Sequence, residues 1–254
     1  MLPVFADALR AVTFLGELPL ATAQLRRGPG RFPGKDFARV AAQCSAQALP
    51  IVAVVNVLLG AILAFVGAVQ LIKLGAGLYV ADLVGIAVPR EMAAAMTAII
   101  MAGRTGADFA AELATMQANE EVDALQVLGL DVIGYLVLPR VLALTALLPL
   151  LYLYGCAAGL IGGLLVGAGL LDMSAVSYLG RTADALSVRQ FGLGAAKSMI
   201  FGALIALTGC YYGLHACRNA TGVGAAATSA VVMGIVGVIV VDAVFAVCAN
   251  ALGV

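Results

Sequence analysis

The sequence predicts an all-α integral membrane protein: five transmembrane helices, an N-terminal interfacial amphipathic helix and a further amphipathic helix in a cytoplasmic loop, in a single domain over residues 1–254. Three observations predict it. Hydrophobic residues make up 63% of the chain and charged residues only 11%, with a mean hydropathy of +1.08. A soluble domain carries about 25% charged residues and could not hide so much apolar surface. Charge-free stretches recur at the length of a bilayer crossing. The 14 basic and 14 acidic residues balance to zero net charge, which leaves no electrostatic footprint for nucleic acid and makes their placement the informative quantity.

At the N-terminus, Phe5, Leu9 and Val12 recur at helical spacing while Asp7, Arg10 and Glu17 point elsewhere. That pattern fits an amphipathic helix over 1–27 lying on the membrane surface; a plain cytosolic tail is the alternative. The same charges leave no apolar core of about 7–15 residues for a cleaved signal peptide, so the first span also serves as the insertion signal. The turn formers of Gly28–Gly34 (GPGRFPG) mark a linker over 28–48.

No charge lies between Arg39 and Lys73, and a helix over about 49–72 crosses a hydrocarbon core of about 30 Å at about 1.5 Å per residue. The second span, about 83–106, is Ala, Ile, Met and Gly interrupted by Pro89, Arg90 and Glu91. The third, about 141–170, belongs to a charge-free run longer than a bilayer needs, which implies tilt, protrusion or a break near Pro149; one long helix is favoured over a hairpin. Spans four and five cover about 193–214 and 228–249. Translocation disfavours basic flanks. With the N-terminus inside, nine cations (Arg10, Arg26, Arg27, Arg31, Lys35, Arg39, Arg104, Arg140, Arg218) are cytoplasmic against three outside (Lys73, Arg181, Arg189). The chain is therefore expected to be multi-pass, with a cytoplasmic N-terminus and an external C-terminus.

Two groups of residues carry the chemistry. The loop between spans two and three holds Asp108, Glu112, Glu120, Glu121, Asp123 and Asp131 with no basic residue between 107 and 134. Leu113, Met116, Val122, Leu125 and Leu128 are spaced among these acids, and no Pro or Gly falls between Ala107 and Leu128, so a helix over about 108–128 is expected. Its apolar face needs a partner, and its acidity disfavours anionic headgroups, which points to a second protein. The second group is intramembrane: Arg90, Glu91, Lys197 and Asp242. A charge at that depth costs about 2.5–3.5 kcal/mol on insertion scales and marks a functional candidate. Arg90 and Glu91 lie about 12 Å and Lys197 about 6 Å from the outer ends of their spans, and Asp242 falls beyond the midpoint of its own, so all four belong to the outer half. Neighbours about 100° apart on a helix cannot easily neutralise each other, so Arg90 and Glu91 should look to Lys197 and Asp242. The cluster either ties spans together or lines an outward cavity for a phosphate-bearing ligand.

Other signals carry little. The cysteines include no C-x-x-C pair and read as small hydrophobes. Gly192–Ser198 (GLGAAKS) lacks the core of a phosphate-binding loop. His215, the single histidine, has no ligand-spaced neighbours for a metal. Asn219-Ala-Thr221 matches a glycosylation sequon but falls on the cytoplasmic side. The ladder Gly155, Gly159, Gly163, Gly167 lets helix backbones approach closely, within the chain or across a dimer. No catalytic residue, metal site or cofactor is expected.

Pro89-Arg90-Glu91, Ala102–Ala107 (AGRTGA), Ala111–Met116 (AELATM), Glu120–Leu125 (EEVDAL), Leu128–Asp131 (LGLD) and Leu138-Pro139-Arg140 resemble, in order, the central signature of MlaE/YrbE-type permeases, the membrane subunits of MCE-associated ABC lipid transporters. Ala196-Lys197-Ser198, Gly222–Ala226 (GVGAA), Thr228 and Val240-Val241-Asp242 are similar to the family's C-terminal part. The resemblance implies a homodimeric permease in the bacterial inner membrane. It implies cytoplasmic ABC ATPase subunits, a periplasmic ring of MCE-domain proteins, and transfer of phospholipids or related lipids between inner and outer membranes, with a bearing on outer-membrane lipid asymmetry. It further implies that Glu112, Glu120, Glu121, Asp123 and Leu125 belong to a coupling helix that docks on the ATPase, and that Arg90, Glu91, Lys197 and Asp242 belong to the lipid pathway. Two other classes compete. An intramembrane lipid-modifying enzyme would turn over phospholipid without an ATPase, and a structural scaffold would show assembly defects only.

Overall fold

The computed structural model describes residues 42, 44, 48–170 and 174–251. The interfacial helix over 1–27 and nearly all of the linker over 28–48 lie outside the described residues. Among those described there is no strand. The helices are α1 (Leu49–Lys73), α2 (Val80–Ala87), α3 (Ala93–Met101), α4 (Ala107–Ala118), α5 (Glu121–Val127), α6 (Leu138–Leu170), α7 (Ala175–Ala185), α8 (Val188–Leu214) and α9 (Ala220–Ala251). Five-residue π-turns at Val88–Met92 and Ala102–Gly106 join α2 to α3 and α3 to α4, and a third at Ile133–Val137 leads into α6. Five helical runs are long and apolar enough to cross a membrane: Leu49–Lys73, Gly77–Ala118, Ile133–Gly167, Val188–Leu214 and Ala220–Ala249.

The five runs fall on the five expected spans, with two revisions. The second run is continuous from Gly77 to Ala118, so the first half of the acidic segment prolongs the second span instead of standing alone. The single helix expected over 108–128 is two helices. Asn119 and Glu120 separate α4 from α5, and Glu120 adopts φ 60°, a left-handed conformation that costs a non-glycine residue about 1–2 kcal/mol. The turn folds α5 back so that Val122 and Leu125 reach the same core as Leu113 and Met116, and that burial offsets the strain. Pro149 produces no break: α6 runs through it, since one missing N–H is tolerable where neighbouring helices satisfy the freed backbone.

The described residues form two compact units. Met101–Thr145 and Gly202–Gly237, with Cys44, make one; its buried core is Leu113, Val122, Leu136, Val137 and Cys210, with Met116, Leu125, Leu207 and Leu214 packed against it. Four of the five apolar positions of the acidic segment, Leu113, Met116, Val122 and Leu125, are therefore covered by this chain's own helices, where the sequence pointed to a second protein, and Leu128 stays exposed. The other unit holds the described residues of Ser45–Ile100, Ala146–Phe201 and Val238–Val254. There the glycine ladder works within the chain. A Cβ on Gly60 would strike the backbone of Gly159, and one on Gly162 the backbone of Val57, so α1 and α6 touch backbone to backbone.

Candidate functional site

Lys197, on α8, is the centre of the intramembrane cluster and is only 1% exposed. Its Nζ donates to Glu91 Oε2 and to Asp242 Oδ1 at 3.0 Å. Three helical runs thus meet on one ammonium: the π-turn that carries Glu91, α8, and α9, which carries Asp242. Arg90 Nε lies 3.6 Å from Glu91 Oε1, so the adjacent pair does interact, against the expectation from a regular helix. Both residues sit in the π-turn Val88–Met92, whose wider winding brings successive side chains closer around the axis. Two cations and two anions leave the cluster neutral, the condition under which buried charges persist. Its charges are graded in access: Lys197 is enclosed, while Arg90, Glu91 and Asp242 are part-exposed.

The π-turn is latched from α6. Tyr152 Oη donates to the Pro89 carbonyl at 2.8 Å. Gly194 passes close by, and a Cβ there would meet Tyr152 and come within 2.6 Å of the Pro89 oxygen. Gly194 precedes Lys197 by about one turn of α8, so the close approach at Gly194 sets the height at which Lys197 meets Glu91. A second buried polar node lies in the same unit, where Asn56 donates to Thr97 Oγ1 at 3.4 Å and to the Val52 carbonyl at 2.9 Å. Nearer the turns, Arg181 on α7 pairs with Asp82 at 3.3 Å and lies 5.2 Å from the Tyr79 ring centroid.

The acidic segment is partly tied into its own chain. Glu112 Oε2 pairs with Arg140 Nη2 at 2.9 Å, and Asp123 with Arg218 at 2.8 Å. Leu125 packs inward against the core. Glu120 and Glu121 are exposed, the latter accepting from Asn119 Nδ2 at 3.2 Å. Beside them lies an apolar tip, Val127 and Leu128, 88% and 74% exposed, with Leu130; of these the helical pattern in the sequence singles out Leu128 alone. Of the five residues expected at the ATPase, then, Glu120 and Glu121 are exposed, Glu112 and Asp123 are accessible but paired within the chain, and Leu125 is turned in. Among the described residues no group of His, Cys, Asp or Glu is arranged to hold a metal ion.

Residues 37–248 match the family model described as Permease MlaE. The chain belongs to the MlaE permease family. Relatives of this MlaE permease include a probable ABC transporter permease protein of Rickettsia prowazekii, 40% identical over 186 residues, 73% of this chain and 72% of the relative. Another, a probable ABC transporter permease protein of Synechocystis, is 34% identical over 171 residues, 67% of this chain and 65% of the relative. The chloroplastic protein TRIGALACTOSYLDIACYLGLYCEROL 1 of Arabidopsis thaliana is 37% identical over 170 residues, 67% of this chain and 49% of that protein. The sequence resemblance and the comparisons name the same family. The chain is an ABC transporter permease, a non-catalytic, multi-pass membrane subunit.

Arg140, Arg218 and Tyr152 are site residues that sequence reasoning misses. In the sequence Arg218 reads only as a cation that sets orientation, Arg140 as that and as the end of the Leu138-Pro139-Arg140 signature, and Tyr152 sits in an apolar run with no pattern to set it apart from Tyr154. Asn56 was the one legible signal, a polar residue inside the charge-free first span.

Proposed function

We propose that this MlaE permease moves phospholipids or related lipids between the inner and outer membranes of a bacterial cell, driven by a separate cytoplasmic ATPase. In this reading the permease sits in the inner membrane as a homodimer, N-terminus inside, with a periplasmic MCE-domain ring. The observation that carries it is the neutral cluster on Lys197 with Arg90 at its accessible edge. A guanidinium that is part-exposed and only loosely paired can exchange its carboxylate for a lipid phosphate, which it binds with the same fork geometry. The Arabidopsis relative's name contains a diacylglycerol lipid, which supports lipid as the cargo class. At the other site, Glu120, Glu121 and the tip Val127–Leu128 offer an exposed acidic and apolar surface suited to a protein partner, and the ATPase is that partner.

The test is mass spectrometry of the lipids carried by the gently purified complex, beside an Arg90→Ala variant. The expected result is phospholipid co-purifying with the wild-type complex and severalfold depleted in the variant. Equal lipid content in both removes Arg90 from the pathway. Turnover of labelled phospholipid by the purified chain without ATPase would make it an enzyme instead.

A further inference from the structure

The acidic segment is fastened to its own chain at two points, and we propose that Arg140 and Arg218 are positioning residues that make α4 and α5 one rigid lever. Through it, force from the ATPase reaches the start of α6 and the turn between α8 and α9. The inference rests on the reading of this segment as the ATPase contact.

Arg140 lies in the first turn of α6 and is buried. Its guanidinium pairs with Glu112 at 2.9 Å, donates from Nη1 to the Leu136 carbonyl at 2.6 Å, and lies 5.8 Å from the centroid of the Phe109 ring. Phe109 and Glu112 are three residues apart on α4 and share a face, so one side chain from α6 grips one face of α4. Its Nε has no partner among the described residues, as expected of a group held for its position and not for a complete set of hydrogen bonds. Arg218, between α8 and α9, meets Asp123 of α5 with both nitrogens, Nη1 to Oδ2 at 2.8 Å and Nη2 to Oδ1 at 3.0 Å. That fork geometry fixes direction as well as distance.

A segment whose acids served only to attract a partner would leave all of them free. Here Glu112 and Asp123, although reachable from solvent, each hold a cation of this chain, one on each side of the turn at Glu120, while Glu120 and Glu121 lie exposed at the turn itself. A segment tied at one end pivots when its tip is pushed. One tied at both ends moves as a body and displaces what it is tied to.

The test uses the full chain in complex with its ATPase in proteoliposomes, and compares wild type with Asp123→Asn, Glu112→Gln and the exchange D123R/R218D. Three quantities are read: ATPase co-purification, amide hydrogen exchange of Glu121–Val127 in the permease alone, and lipid moved per ATP hydrolysed. In Asp123→Asn the ATPase should still co-purify, and exchange across α5 should rise about two- to fivefold, the scale of an exposed ion pair. Lipid moved per ATP should fall severalfold, and the exchanged pair should restore both quantities. Glu112→Gln should behave in the same way with exchange read over α4. Loss of co-purification with unchanged exchange would make Asp123 a contact residue and overturn the proposal, as would raised exchange with undiminished transport per ATP. A wild-type complex without ATPase overturns the proposed function instead, a failure told apart because the exchange measurement needs no ATPase.

Discussion

A lysine ammonium enclosed in a membrane helix bundle persists because Glu91 and Asp242 face it, so its replacement should expose what the two carboxylates cost alone. Lys197→Met leaves them without their shared cation, and breaking such a buried pair costs about 3–5 kcal/mol. Thermal unfolding in detergent should show the loss. Neutralising all three groups together (K197M/E91Q/D242N) should recover much of it, because neither carboxylate is then stranded and the one charge that loses its partner, Arg90, is part-exposed. A triple variant as unstable as the single one would mean that the ion pairs contribute by attraction and not merely by mutual cancellation. Tyr178 on α7 offers a second residue-scale case. It is buried, its hydroxyl has no partner among the described residues, and burial pushes its pKa from 10.0 up to about 12. The fold therefore favours the neutral phenol: stability is whole below about pH 10, where the unfolded tyrosine ionises, and declines at up to about 1.4 kcal/mol per pH unit until about pH 12. Tyr178→Phe should remove that decline and cost little near neutrality, since no hydrogen bond is lost. A variant that unfolds over the same alkaline range as wild type would show another group responsible.

The helices meet at distances that only glycine permits, and α8 carries its own control. Gly194→Ala places a methyl group against Tyr152 and the Pro89 carbonyl. Backbone on one side and a latched phenol on the other cannot yield freely, so overpacking of about 1–3 kcal/mol is expected. Gly192 lies two residues earlier on the same helix, and a Cβ there would meet nothing within 4 Å, so Gly192→Ala should be neutral or stabilising by up to about 1 kcal/mol. Equal stability of the two variants in a detergent melt would remove the close approach as the feature that seats Lys197. The same scale shows what a sequence carries. The spans were legible because a charge is excluded from hydrocarbon wherever it has no partner, and Arg39 to Lys73 or Val141 to Leu171 report that exclusion directly. The π-turns at Val88–Met92, Ala102–Gly106 and Ile133–Val137 were not legible. An extra residue per turn leaves no mark in composition and is selected by packing, as when the Tyr152 hydroxyl takes up the Pro89 carbonyl. Nor was the break at Glu120, where the turn forms without the glycine that usually signals it.

For the whole molecule, the intramembrane cluster and the acidic segment are each legible as charges out of place, but their internal partners are not. Lys197 with Glu91 spans 106 positions and Arg218 with Asp123 spans 95, and pairings at that separation depend on how the helices assemble. This matters for testing the link to the ATPase. Reversing Glu120, Glu121 and Asp123 together would break the Arg218 pair as well as alter the exposed surface, and a lost complex would then have two causes. Glu120→Lys with Glu121→Lys reverses exposed charge and leaves the Arg218 pair intact, at the cost of the exposed Asn119–Glu121 hydrogen bond. Because surface charge governs association rate and partner choice, the double variant should lose ATPase co-purification, while the permease keeps its melting temperature within a few degrees, as surface substitutions do. Val127→Ser with Leu128→Ser should weaken the complex independently of salt, whereas the effect of the two lysines should shrink as ionic strength rises. If the ATPase remains bound to both double variants, neither the acids nor the apolar tip forms its docking surface, and the partner must engage some other part of the permease.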